Sequence, residues 1–131
     1  MPEEAVDFWP DLDTTKPRTP VLILKQQAAL LGKHTKNLVV AKVETVGTYK
    51  GYFLHKFILE APALNYRYEM FSISHDLRLY PVTLESSPES HLSRAPTVFN
   101  SENELVDWLK DVLNSGATKN ILGTLLAQVE A

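Results

Sequence analysis

The feature that most constrains this chain is a change of period at Leu38. Before it, apolar residues recur at helical spacing. From Leu38 to Glu85 they fall into β-type runs rich in Val, Ile, Phe and Tyr. Clusters of Gly, Pro, Asn and Asp cut this stretch into four predicted strands: 38–46, 52–60, 66–74 and 78–85. The breaks are Gly47–Gly51, Ala61–Asn65 and the pair Asp76-Leu77. Connections this short join antiparallel neighbours, so the centre of the chain reads as a β-meander. Pro81 makes the fourth strand an edge or a bulged strand, because proline cannot donate to the ladder.

Parity then assigns faces. With Asp76 and Leu77 as the turn, Ile73 opposes Tyr80, Phe71 opposes Val82 and Glu69 opposes Leu84. One apolar face collects Phe71, Ile73, Tyr80, Val82 and Leu84. Phe53, Phe57 and Leu59 join it from the second strand, and Val39, Ala41 and Val43 from the first. Leu54 and Ile58 point the other way, so both faces of the second strand carry apolar side chains. The same alternation sets Tyr66, Tyr68 and Met70 on the face opposite Phe71.

Helices flank the meander. Thr19 is a predicted N-cap and Pro20 a first helical residue, with Leu24, Ala28 and Leu31 as the buried stripe and Ile23 and Leu30 beside it. Gly32 is a candidate left-handed cap, or the helix runs on to Thr35. After a polar loop over 86–96 and a short fifth strand at Thr97-Val98-Phe99, Ser101 and Glu104 have the spacing of a capping box. Leu105, Trp108, Leu109 and Val112 are that helix's apolar stripe. Gly116 is expected to stop it, and Thr118 to cap a last helix with Ile121 or Leu122, Leu125, Leu126 and Val129 inward. The expected fold is α+β: an N-terminal helix, an antiparallel meander of four or five strands, and two C-terminal helices packed on the sheet. It occupies residues 19–131, behind a Pro-rich acidic arm over 1–18.

Composition excludes several classes. The 131 residues hold thirteen Lys+Arg against sixteen Asp+Glu, so no basic stripe marks a nucleic-acid partner. The chain has no cysteine, hence no disulfide frame, thiolate metal site or cysteine nucleophile. Its start is acidic rather than basic-then-apolar, and no apolar run reaches membrane-spanning length, so a cytoplasmic protein without membrane or cofactor is expected.

Chemistry-bearing motifs are sparse. No glycine-rich phosphate loop and no Gly-x-Ser-x-Gly elbow occurs. The four histidines, His34, His55, His75 and His91, show no metal-ligand spacing, so no metal is expected. His55 stands mid-strand between Phe53 and Phe57, the place of a hydrogen-bonded core residue. Glu44, Glu60, Glu69 and Glu85 lie on predicted strands and could approach in pairs. Gly123, inside a helical pattern, is a local defect or a point of close helix packing.

Aromatic and cationic residues carry the strongest signal. Tyr66, Arg67, Tyr68 and Met70 on one sheet face are residue types that dominate protein interfaces, and Phe8-Trp9 in the arm either pin it onto its own domain or anchor a partner chain. The expectation is a non-enzymatic protein-interaction module of the immunity, adaptor or chaperone kind. Its partner is a protein, basic in view of the acidic balance, or a second copy of this chain. The alternatives are a carrier of a small apolar ligand or lipid, and a small enzyme using His55 or a carboxylate pair.

Overall fold

A computed structural model describes residues 5–12, 16–47, 49–87 and 97–131. The elements run α1 (Pro20–Thr35), β1 (Val40–Gly47), β2 (Phe53–Ala61), β3 (Tyr66–His75), β4 (Val82–Ser86), β5 (Val98–Phe99), α2 (Glu102–Leu113) and α3 (Gly116–Glu130). The five strands form one antiparallel sheet in the order β1-β2-β3-β4-β5, as a meander requires. The polar loop, with His91, Ser90 and Ser93, lies largely outside the described residues.

The helix ends follow capping chemistry. Thr19 Oγ1 accepts the Leu22 N–H at 3.2 Å, and Ser101 Oγ accepts the Glu104 N–H at 3.3 Å. Of the two ends weighed for α1 the structure has the longer: the helix runs to Thr35, and its left-handed cap is Lys36 (φ 54°). Gly32 is buried within the helix, where an added Cβ would stand 2.5 Å from Asn37 Oδ1. The expected end of α2 is corrected: Gly116 does not stop α2 but opens α3, whose N-cap is Ser115, accepting the Thr118 N–H at 3.2 Å. Thr118 is buried instead, and its hydroxyl donates to the Val112 carbonyl at 2.6 Å, tying α3 to the end of α2.

The core fills the space between helices and sheet. Phe57 and Phe71 stack at 4.9 Å between centroids, and Trp108 meets Phe71 edge-on at 4.9 Å. Ile23, Leu24, Val39, Leu59, Ile73, Val82 and Leu105 close around them, each at most 2% exposed.

Register departs from the simple alternation between β3 and β4 and again between β2 and β3. β3 and β4 do not meet at a two-residue turn: residues 76–81 form a longer connection, and Ile73 pairs with Leu84 rather than Tyr80. At Ile73 and Ser74 the shift is by four residues, an even number, so Ile73, Val82 and Leu84 keep their common face, and the register slips once more where Ser72 pairs with Ser86. The second is a bulge in β3. Phe57 pairs with Phe71 but Ile58 with Glu69, leaving Met70 as the extra residue. Alternation inverts there: Tyr68 opposes Leu59 and Tyr66 opposes Ala61, on the helix side, while Arg67 and Glu69 turn to the open side. Met70 is 2% exposed, within the core. The expected Tyr66/Tyr68/Met70 patch on the open face is therefore not formed.

Candidate functional site

The helix layer does not close over the sheet. Between α1 on one side and α2 with α3 on the other lies a cleft of about 540 Å³. Its floor is Phe57 and Leu59 of β2 and Met70 of β3. Its walls are Ile23, Leu30 and Leu31 from α1, Val106, Leu109 and Leu113 from α2, and Leu122 from α3. Packing fixes this lining: the same residues that face the core at depth emerge as walls where the helices diverge. Leu30 remains 43% exposed.

The polar lining is Arg18, Gln27, His34, Lys110, Asn114 and Thr118. Among the described residues no carboxylate lines the cleft, and its charged groups there, Arg18 and Lys110, are both cations. Arg18 is partly engaged: its guanidinium donates to Gln26 Oε1 at 3.2 Å and stands 3.8 Å from Glu102. An apolar floor of this size under a few polar groups is the usual build of a binding cleft.

The open face of the sheet is different in kind. Arg67 bridges Glu44 and Glu60, Lys42 reaches Glu60 at 3.0 Å, and Lys56 reaches Glu69 at 3.5 Å. Ser74 donates to Glu85 at 2.6 Å, and Ser72 and Ser86 hydroxyls meet at 2.9 Å. The four strand glutamates are thus each held by a cation or a hydroxyl in their neighbourhood. Ile58 is 2% exposed although it points to this face, within the ladder where Lys42 and Glu69 are its cross-strand neighbours. A shallow depression lined by Tyr52, Leu54, Lys56, Ser72 and Glu85 lies here.

Sequence reasoning missed a third feature. His55 and His75 meet across β2 and β3, with their Nε2 atoms 2.8 Å apart. His75 Nδ1 lies 2.7 Å from the Asp76 carbonyl, which only accepts, so that nitrogen carries hydrogen. His75 Nε2 then accepts from His55 Nε2–H, and His55 Nδ1 accepts the Thr45 hydroxyl at 2.9 Å. Every ring nitrogen of the pair thus has a partner. Burial, then the His75 and Lys25 charges, push the His55 pKa down to about 4. His55 is thus the buried, hydrogen-bonded residue its strand position suggested. His75, next to the predicted Asp76-Leu77 turn, ends β3 and shares its face. Among the described residues no group of three or more His, Cys, Asp or Glu is placed to hold a metal.

The remaining sequence-predicted residues are scattered. Arg67 is on the open face, inside the ion-pair ladder, and Tyr66 and Tyr68 face the helix side. Phe8 and Trp9 are 91% and 79% exposed, so the arm does not seat them on its own domain. The cleft had one readable trace in the sequence: Leu30, an apolar residue beside the stripe of α1 that burial in the core does not require. Comparison with protein-family models, with curated proteins and with solved structures gives no match to this chain. Among the described residues no helix is long and apolar enough to cross a membrane.

Proposed function

We propose that this protein is a non-enzymatic interaction module whose binding site is the cleft between α1 and the α2–α3 pair. The occupant is a polypeptide segment that presents aromatic or aliphatic anchors with acidic residues beside them. One observation carries the reading: about 540 Å³ of space with a floor of Phe57, Leu59 and Met70, whose charged lining among the described residues is Arg18 and Lys110. Apolar anchors seated in such pockets supply most of the energy of peptide recognition, and complementary charge at the rim sets orientation and encounter rate. The rim favours an acidic segment, which reverses, for this site, the expectation of a basic partner drawn from net charge.

The open face supports the choice by contrast. Its charges already answer one another in the ladder around Arg67, which leaves less unmatched surface for a partner.

A second reading rests on the same floor. A small amphiphile with an anionic head would place its tail on Phe57, Leu59 and Met70 and its head near Arg18 or Lys110.

Panning a peptide library against the chain and against Leu30→Glu separates the readings. The variant alters a half-exposed wall residue and leaves the core intact. Peptides with an aromatic flanked by Asp or Glu, enriched on the wild type and lost on Leu30→Glu, are expected. Enrichment of basic peptides, or enrichment indifferent to Leu30→Glu, would contradict the proposal. A retained long-chain carboxylate in native mass spectrometry, with no peptide enrichment, would favour the amphiphile.

A further inference from the structure

The proposed cleft calls for an acidic segment with large apolar anchors, and this chain carries one. In the arm, Phe8 and Trp9 are 91% and 79% exposed, and Val6 is 73% exposed. A soluble chain has no use for an adjacent Phe-Trp pair in water unless something receives it. The acidic residues are interleaved: Asp7 and Asp11 flank the pair, and Glu3, Glu4 and Asp13 bring the acidic residues of this stretch of sequence to five, with no Lys or Arg before Lys16. The Asp7 carboxylate accepts the Trp9 backbone N–H at 2.9 Å, a local turn that fixes the backbone between the two aromatics.

We infer that the occupant of the cleft is the arm of a second copy of this chain, exchanged reciprocally in a two-fold dimer. This inference rests on the proposed cleft site. In it, Phe8 and Trp9 of each copy lie on the other copy's floor of Phe57, Leu59 and Met70. The Asp7 side faces the rim cations Arg18 and Lys110. Three observations on different parts of the molecule agree. The anchors are apolar and exposed, the receiving floor is apolar, and the charges of arm and rim are opposite.

Exchange between copies is favoured over docking at home by how the arm is built. Trp9 and Arg18 are nine residues apart, so the chain between them reaches at most about 30 Å when extended. Arg18 itself lines the cleft, so a home-docked arm would have to turn back from the rim at once. Pro10 and Pro17 restrict that reversal, because each fixes its own φ and biases the residue before it toward extended backbone. An arm that springs from the rim of one cleft is placed to reach the cleft of a facing neighbour. Reciprocal exchange also closes on itself, giving a dimer rather than a filament.

The test is sedimentation of the full chain across the micromolar range beside three samples: the double variant Phe8→Ala/Trp9→Ala, Leu30→Glu, and their equimolar mixture. Circular dichroism checks that each variant is folded. The wild type is expected to be a dimer. Each variant is expected to dimerise roughly 30-fold more weakly or worse, the scale of losing a main anchor. The mixture should regain part of the association, since one intact arm meets one intact cleft. The indole N–H signal of Trp9, assigned through Trp9→Phe, should shift with protein concentration. A dimer indifferent to both variants would overturn the inference, as would a monomer at all concentrations. In the monomer case, a concentration-independent Trp9 signal that moves in Leu30→Glu would mean that the arm docks at home. If the double variant still enriches acidic aromatic peptides, only the exchange has failed. If no peptide enriches on it either, the cleft reading has failed with it.

Discussion

The two faces of the sheet are made by the same strands, residue by alternating residue, and they solve opposite problems. On the helix side, Phe57, Phe71 and Ile73 are at most 2% exposed and hold the fold together. On the open side, Arg67, Glu44, Glu60, Lys42, Lys56 and Glu69 form a ladder of cross-strand charge pairs. The lesson is that polarity alone does not locate a binding surface. The charged face is satisfied by itself, whereas the apolar face is left partly uncovered where α1 parts from α2 and α3. The proposed protein-binding role rests on that uncovered part of the apolar face, not on the number of Tyr and Arg residues in the sheet.

Substitutions that treat the faces unequally sharpen the contrast. Phe71→Ala removes a ring that is 0% exposed and packed between Phe57 and Trp108. It is expected to cost about 3–5 kcal/mol, read as a lower urea midpoint at unchanged slope. A loss under about 1 kcal/mol would mean that the layers are not packed as described.

Acid attacks the same face by another route. The His55 pKa is depressed from 6.5 to about 4 in the fold, so the unfolded chain binds the extra proton first. Stability from this group is complete above about pH 6.5 and declines as pH falls toward 4, by up to about 3 kcal/mol in total. Urea midpoints from pH 7 to pH 4 should show that fall, and His55→Gln should flatten it. A slope unchanged in the variant would remove the histidine pair from the account.

The smallest effect belongs to the open face. Arg67→Ala breaks the exposed pairs with Glu44 and Glu60, and is expected to leave the urea midpoint close to that of the wild type, closer still in high salt. A loss comparable to Phe71→Ala would show that the ladder, too, holds the structure.

Much of this architecture was legible because it depends on short-range pattern. The strands around Val43, Phe57 and Ile73, the caps Thr19 and Ser101, and the stripe of α2 each need only a few neighbouring residues to declare themselves. What stayed hidden depends on distance. The bulge at Met70 exists only in the register of β2 against β3, and it turned Tyr66 and Tyr68 to the other face. The His55–His75 contact needs the same register together with a strand that continues through His75. The cleft depends on the separation of helices far apart in sequence, and Leu30 alone hinted at it.

The most direct test is a ¹H–¹⁵N titration of the Phe8→Ala/Trp9→Ala chain with the synthetic peptide Ala-Val-Asp-Phe-Trp-Pro-Asp-Leu, the sequence of residues 5–12. Saturable shifts clustered at Gln27, Leu30, Leu31, His34, Val106 and Lys110 are predicted, weakened by salt and by Leu30→Glu. Shifts centred instead on Lys42, Glu44, Leu54 and Glu85, or no shifts at all, would contradict the assignment of the cleft as the binding site.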